Sequence, residues 1–110
     1  MCEKYIKMVV IDGEVFNQVA VIHSSEYGLG WFTLHSIVDA LYDPNIVKMI
    51  LNEAPMSEIG KYCLKHYPTI NYLPKGFDIK WVNQGDEFVV REYDGLETVQ
   101  LKQDIPFLTA

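Results

Sequence analysis

The sequence predicts a single α+β domain over residues 1–110, in which an antiparallel sheet carries two or three central helices on one face. Three observations predict it: strand-like segments open and close the chain, helical periodicity occupies the middle, and 49% of the 110 residues are hydrophobic. A chain of this length usually forms one compact domain, and this apolar content supplies a core without disulfides. The separation of strands from helices along the chain favours antiparallel pairing.

The chain begins with a predicted β-hairpin. Residues 5–11 are rich in β-branched and aromatic side chains, the pair Asp12-Gly13 is typical of a two-residue hairpin turn, and residues 15–23 have the composition of the returning strand. Residues 24–30 then interrupt the pattern with small and flexible residues. We therefore expect a loop between the hairpin and the first helix.

Helical spacing of apolar residues begins after this loop. Thr33 is expected to cap a helix that continues to Asp43, since apolar residues recur at intervals of three and four. Asp43 and Pro44 are typical of the start of a second helix, and Pro55 ends it. A third helix follows, which Ser57 is expected to cap. The middle of the chain is therefore predicted to be helical.

The last third of the chain predicts a three-stranded antiparallel meander. From Phe77 apolar and polar residues alternate, residues 83–86 have the composition of a turn, and Asp94-Gly95 is a second hairpin signal. A final strand is expected over residues 96–102. With the opening hairpin, these strands would complete the sheet.

Charge and composition restrict the classes of partner. Fifteen acidic and nine basic residues give a formal net charge of −6, which opposes nonspecific attraction to nucleic acid and to anionic lipid. No apolar window approaches the length of a membrane span, and the N-terminus lacks the pattern of a secretory signal. The two cysteines predict no disulfide framework. We therefore expect a cytoplasmic protein that binds neither membranes nor, directly, nucleic acid.

Several residue patterns suggest catalytic or cofactor chemistry without completing it. The Gly-x-Gly of residues 28–30 stands between a strand and a helix, as in dinucleotide-binding turns, but Thr33 replaces the third glycine. Cys63 and His66 are spaced to face one metal ion, yet a second ligand pair is missing. His23 stands beside two serines without a nucleophile-elbow sequence. We expect no catalytic residue, no metal site and no cofactor, and a protein that is not an enzyme.

The acidic C-terminal hairpin is the predicted interaction surface. Its carboxylates crowd the turns and alternate with apolar residues, so they are expected to face water. A dense negative surface beside aromatic residues steers towards a basic surface and raises the association rate. The predicted partner-binding residues are Asp86, Glu87, Glu92, Tyr93, Asp94 and Glu97. The sequence thus predicts a small acidic protein that binds, and regulates or inhibits, a macromolecular partner with a basic surface.

Two alternative functions follow from other parts of the sequence. Residues 30–42, GWFTLHSIVDALY, lie after a hairpin and before Pro44-Asn45, and they resemble the Bro-type N-terminal domain of phage antirepressors. This resemblance implies a DNA-binding module of phage or bacterial origin. Residues 24–30 and the aromatic residues near them could instead cover the pocket of a small ligand-binding domain or enzyme. Exposed sheet edges also favour a homodimer.

Overall fold

The computed structural model describes residues 3–70 and 72–104, and its antiparallel sheets and helices confirm the predicted α+β class. Within these ranges no helix is long and apolar enough to cross a membrane. In chain order the elements are β1 (Ile6–Ile11), β2 (Glu14–Ser24), α1 (Phe32–His35), α2 (Val38–Tyr42), α3 (Pro44–Leu51), α4 (Met56–His66), β3 (Phe77–Asn83), β4 (Phe88–Tyr93) and β5 (Leu96–Leu101), followed by a 3₁₀ turn over Lys102–Asp104.

The opening hairpin forms as the sequence predicts. Strands β1 and β2 pair antiparallel, with Ile11 opposite Glu14 and Ile6 opposite Val19. Asp12 and Gly13 both have positive φ, +50° and +81°. A type I′ turn requires this conformation, and its twist matches that of the two strands.

The predicted C-terminal meander is wrong in one respect, because β3 pairs with β2 and not with β4. Ala20 lies opposite Trp81 and Ile22 opposite Ile79, so the first sheet has the order β1-β2-β3. Strands β4 and β5 form a separate two-stranded sheet. The physical reason lies in β2, whose central residues are buried and therefore need partners for their backbone groups along both edges. Strand β3 supplies the second edge.

Strand β2 separates two apolar clusters. Ala20 and Ile22 belong to the cluster that contains most of the buried helical residues, whereas Val21, on the opposite face, packs with Leu41 of α2, Val82 and Val99. The β4–β5 hairpin therefore covers the face of β2 that the main helical cluster leaves open. The buried side chains of the first cluster are Ala20, Ile22, Trp31, Ala40, Ile46, Val47, Ile59, Cys63 and Ile70.

The first predicted helix is divided in two. Ser36 adopts a left-handed conformation, with φ of +57°, between α1 and α2. The backbone N–H of Ile37 donates to Nδ1 of His35 at 2.7 Å, so a side chain replaces the helical acceptor at the break. Thr33 lies inside α1 and does not cap it, which corrects the predicted N-terminus. Apolar spacing alone did not reveal this break.

Asp43 begins α3 as predicted and also reaches α4. Its carboxylate accepts hydrogen bonds from the N–H groups of Asn45 and Ile46. The hydroxyls of Tyr62 and Tyr67 donate to the same carboxylate at 2.9 and 2.6 Å. Burial and the bond to Asp43 raise the pKa of Tyr67 well above its usual value. The buried carboxylate therefore joins α3 to α4 and to the segment after it.

The start of α4 differs from the prediction. The helix begins at Met56, directly after Pro55, and no side chain caps its first turn. Ser57 therefore lies within the helix, and the predicted Ser57 cap is wrong. Proline supplies the extended backbone that precedes the helix, with φ of −66° and ψ of 151°.

Candidate partner-binding surface

The loop over residues 25–30 packs against the turn between β4 and β5. The N–H of Gly28 donates to the carbonyl of Asp94. Gly95 has a φ of +91°, and a Cβ atom there would lie 2.5 to 2.7 Å from backbone atoms of Gly28 and Leu29. Only glycine permits so close an approach of two backbones. The loop that one alternative placed over a pocket therefore rests on the β4–β5 turn.

Glu97 lies beneath this contact, and the expectation that it faces water is wrong. Its side chain is 2% exposed. One carboxylate oxygen accepts the N–H of Ser24 at 2.9 Å, and the other accepts the N–H and the hydroxyl of Thr33 at 2.8 and 2.6 Å. Glu97 shares the inner face of β5 with buried Val99, which explains its burial. It supports the hairpin from within.

Gly30 is explained by the same carboxylate. A Cβ atom at Gly30 would lie 2.6 Å from Oγ1 of Thr33 and 3.3 Å from Oε2 of Glu97. The glycine thus makes room for the bonds between these two side chains. In the described residues, the Gly-x-Gly segment serves the packing of the loop on the hairpin.

Two neutral polar groups lie near the buried carboxylate. Nε2 of His35 and the hydroxyl of Tyr72 are buried, and neither has a hydrogen-bond partner within residues 3–70 and 72–104. Burial lowers the pKa of His35 to about 4, although the charge of Glu97 acts in the opposite direction. Burial, and then the charge of Glu97, raise the pKa of Tyr72. At neutral pH both groups are therefore uncharged.

Two exposed tyrosines meet above this interior. Tyr93, at the end of β4, is 74% exposed, and Tyr27, in the loop, is 56% exposed. Their ring centroids lie 6.4 Å apart in an edge-to-face arrangement at 77°. The Gly28–Asp94 hydrogen bond fixes the loop beside the turn and so brings the rings together. Tyr93 was among the predicted partner-binding residues, whereas Tyr27 was not.

Three carboxylates are chain neighbours of the two tyrosines: Glu26 precedes Tyr27, and Glu92 and Asp94 flank Tyr93. We call the surface formed by Glu26, Tyr27, Glu92, Tyr93 and Asp94 the aromatic tip. Glu26, Glu92 and Asp94 are exposed, and Oε1 of Glu92 also accepts the N–H of the turn residue Gly95.

Two bases adjoin the aromatic tip. Lys75 lies beside Gly28, and Arg91 shares the outer face of β4 with Tyr93. The guanidinium Nε of Arg91 donates to the side-chain oxygen of Gln100 at 2.7 Å. Three carboxylates and two bases thus leave the aromatic tip with an excess of negative charge.

Asp86 and Glu87 lie at the other end of the hairpin. Glu87 directly precedes β4, five residues and about 17 Å along the strand from Glu92, and Asp94 lies just past the other end of the strand. Nζ of Lys102 lies 2.8 Å from Oε2 of Glu87, and this exposed ion pair lowers the pKa of Glu87. The structure therefore divides the predicted acidic cluster between two ends and pairs one of its members with a base of the same chain.

An open cavity of about 650 Å³ adjoins this second end. Its lining includes the apolar side chains of Val38, Leu41, Tyr42, Phe88 and Val90, with Asp86 and Glu87 beside them. The cavity lies between α2 and β4. One alternative function placed a pocket beneath residues 24–30, and this cavity is elsewhere.

The residues considered as metal ligands do not converge. Cys63 is buried, and burial raises the pKa of its thiol to about 11. His66 is exposed and stacks on Tyr62 with ring centroids 4.2 Å apart. Within the described ranges, no group of three or more His, Cys, Asp or Glu residues is arranged to hold a metal ion.

Comparison of the chain with protein-family models, with curated proteins and with solved structures finds no match. The resemblance of residues 30–42 to the Bro-type domain therefore rests on those residues alone. In the structure this segment spans two short helices, α1 and α2, with the break at Ser36 between them.

Proposed function

We propose that this chain is a non-enzymatic interaction protein, which uses the aromatic tip to bind, and to regulate or inhibit, a protein partner with a basic surface. The observation that carries the proposal is the exposed pair of Tyr27 and Tyr93. Tyrosines are enriched among the few residues that supply most of the binding energy at protein interfaces. Large aromatic residues exposed together in an acidic setting therefore favour a binding surface.

The backbone beneath the tyrosines supports this use. Gly95 packs on the backbone of Gly28 and Leu29, and the buried carboxylate of Glu97 connects the hairpin to β2 and α1. A surface that is already ordered loses less conformational entropy when a partner binds. Tyrosine adds contact area with only two side-chain torsions to immobilise.

Charge at the aromatic tip indicates the chemistry of the partner. Glu26, Glu92 and Asp94 outnumber the adjoining Lys75 and Arg91, and the whole chain carries a formal charge of −6. A basic partner would be attracted over long range, which raises the association rate and makes it sensitive to salt. The phosphate backbone of nucleic acid is negative, like this surface, so the two repel each other.

The proposal retains part of the predicted residue set. Glu92, Tyr93 and Asp94 remain candidate contacts, and Glu26 and Tyr27 join them. Glu97 acts from inside as a support. Asp86 and Glu87 lie beyond the aromatic tip, so a partner would reach them only if it spanned the hairpin.

The first test compares binding by matched variants. Immobilised wild-type protein is exposed to a lysate of its host, and each retained protein is quantified for wild type, Tyr93→Ala, Tyr27→Ala and the remote control Leu64→Ala. Leu64 is an exposed apolar residue of α4. We expect wild type and Leu64→Ala to retain equal amounts of one basic protein. Tyr93→Ala should retain about tenfold less of it, or lower still. Equal retention by all four proteins would overturn the proposal.

The second test addresses charge with the partner so identified. The double variant Glu92→Gln/Asp94→Asn keeps polar groups of the same size, and Asn tolerates the positive φ of residue 94. We expect a lower association rate and a weaker salt dependence than in the control Asp86→Asn/Glu58→Gln. Binding of duplex DNA at about 50 mM salt, unaffected by these changes, would instead support the DNA-binding alternative.

A further inference from the structure

The outer backbone edge of strand β1 pairs with no strand of residues 3–70 and 72–104. Strand β1 is the outer strand of the order β1-β2-β3. The carbonyl of Tyr5 accepts the N–H of Ala20 at 2.9 Å, so Tyr5 directs its polar groups towards β2. Because this direction alternates along an antiparallel strand, Ile6, Met8 and Val10 direct their N–H and C=O groups outward.

The side chains of this edge are apolar. Ile6, Met8 and Val10 lie on one face, where Met8 is 72% and Val10 71% exposed, and exposed Val15 is directly opposite Val10. Protein edges of this kind are usually protected by charges, prolines or bulges. The only charged side chain within β1 is Lys7, which points to the other face with Nζ 4.0 Å from the ring centre of Trp81.

We propose that β1 pairs antiparallel with β1 of a second copy of the chain, about a twofold axis at Met8. A twofold axis perpendicular to the sheet keeps each face on the same side, so a residue must pair with one of the same face. Met8 then lies opposite the partner's Met8, and Ile6 lies opposite the partner's Val10. All three residues with outward backbone groups are paired, and two copies form one six-stranded sheet.

Charge favours the register centred on Met8 over the registers centred one residue to either side. It places Lys7 opposite the partner's Val9, and it brings Lys4 towards the partner's Asp12 at both ends of the strand pair. A register centred on Lys7 would place two lysines directly opposite each other, which destabilises a sheet. A register centred on Val9 would place Ile6 opposite the partner's Asp12, inside a turn.

The expected dimer depends on protein concentration. One strand pair of six residues is about 20 Å long. Stable complexes bury roughly 1,200 Å² or more of surface. A single strand pair of this length buries less surface than that, so we expect the association to be reversible. The contact uses no residue of the aromatic tip, so its failure would leave the proposed function untouched.

The test combines oligomeric state with a register-specific crosslink. Sedimentation of wild type from about 5 µM to about 500 µM should show a shift from monomer towards dimer. Met8→Lys places like charges across the axis and should raise the dissociation constant by about tenfold or more. Leu64→Lys, at a remote residue that is 68% exposed, should associate like wild type. Circular dichroism checks that both variants keep the fold.

The crosslink distinguishes the register. Paired residues with mutual backbone hydrogen bonds have Cα atoms about 5.5 Å apart, within the range of a disulfide. In a Cys2→Ser background, Met8→Cys should therefore form a covalent dimer on mild oxidation, whereas Lys7→Cys should not. Monomeric wild type at all concentrations, equal association of the Met8→Lys and Leu64→Lys variants, or equal crosslinking by both cysteine variants would overturn the proposal.

Discussion

Glu97 and Thr33 are joined by two hydrogen bonds to one carboxylate oxygen, from the backbone N–H of Thr33 at 2.8 Å and from its hydroxyl at 2.6 Å. Thr33 belongs to α1 and Glu97 to β5. The second carboxylate oxygen accepts the N–H of Ser24, the last residue of β2. One buried side chain thus satisfies donors from two other elements, which makes it a determinant of how the hairpin sits on the first sheet.

Replacing Glu97 should destabilise the fold. We expect Glu97→Ala to lower the free energy of unfolding by about 3 kcal/mol, because it leaves buried N–H groups without acceptors. Thr98→Ala, on the exposed face of the same strand, should cost less than about 1 kcal/mol. Urea denaturation measures both. Equal losses in the two variants would contradict the role assigned to the carboxylate.

Gly95 and Gly85 offer a matched pair for the contact between loop and hairpin. Their φ values are +91° and +94°, but a Cβ atom at Gly95 would collide with the backbone of Gly28, while nothing lies within 4 Å of that position at Gly85. Gly85→Ala should lower the free energy of unfolding by about 1 kcal/mol, because of backbone strain alone. Gly95→Ala should lower the free energy of unfolding further. It should also increase hydrogen exchange at the N–H of Gly28, which donates to the carbonyl of Asp94. Identical thermal unfolding of the two variants would count against a close backbone contact.

Asp43 and Tyr67 should be energetically coupled. Asp43→Ala removes the cap of α3 and the acceptor of two tyrosine hydroxyls, so we expect a loss of about 3 kcal/mol. Tyr67→Phe should cost about 1.5 kcal/mol, since it removes one hydrogen bond to a charged group. A double-mutant cycle measured by chemical denaturation should give a coupling of at least about 0.5 kcal/mol. Strict additivity would show that the 2.6 Å contact contributes little.

His35 should make stability depend on pH. Its folded pKa of about 4 is below the unfolded value of 6.5, so between these values the unfolded chain binds the additional proton. The stabilising contribution is complete above about pH 6.5 and is lost as the pH falls towards 4. We expect His35→Gln to flatten the fall in unfolding free energy between about pH 6.5 and pH 5, where carboxylates contribute little. Leu64→Gln, at an exposed position without a titratable group, should retain the wild-type slope.

Local signals in the sequence were sufficient where neighbouring residues determine the structure. Asp12-Gly13 predicts the first turn because both residues tolerate positive φ, and Asp43 before Pro44 predicts the start of α3 because its carboxylate caps nearby N–H groups. Alternation after Phe77 predicts a strand. It does not identify the neighbouring strand, and β3 pairs with β2 because the buried centre of β2 requires a second partner.

The candidate site was harder to predict, since its parts are distant in the chain. Tyr93 stands out in an acidic hairpin, but its contact with Tyr27 depends on the packing of Gly95 against Gly28. Glu97 looks like one more surface carboxylate until the donors on Ser24 and Thr33 are known. Alternation along β5 places Glu97 on the same face as buried Val99, whereas its charge predicts a position that faces water. Hydrogen bonds from distant residues decided between them.

Strand β2 also constrains the order in which the chain can fold. Its pairing with β1 is closed by a two-residue turn, whereas its pairing with β3 brings Ser24 opposite Phe77 and encloses helices α1 to α4 in the intervening segment. An isolated hairpin forms in about 1 to 10 µs, but the cost of closing a long loop must be met before its contacts stabilise the chain. Closure of this long segment should therefore limit the folding rate, with the opening hairpin as an early template.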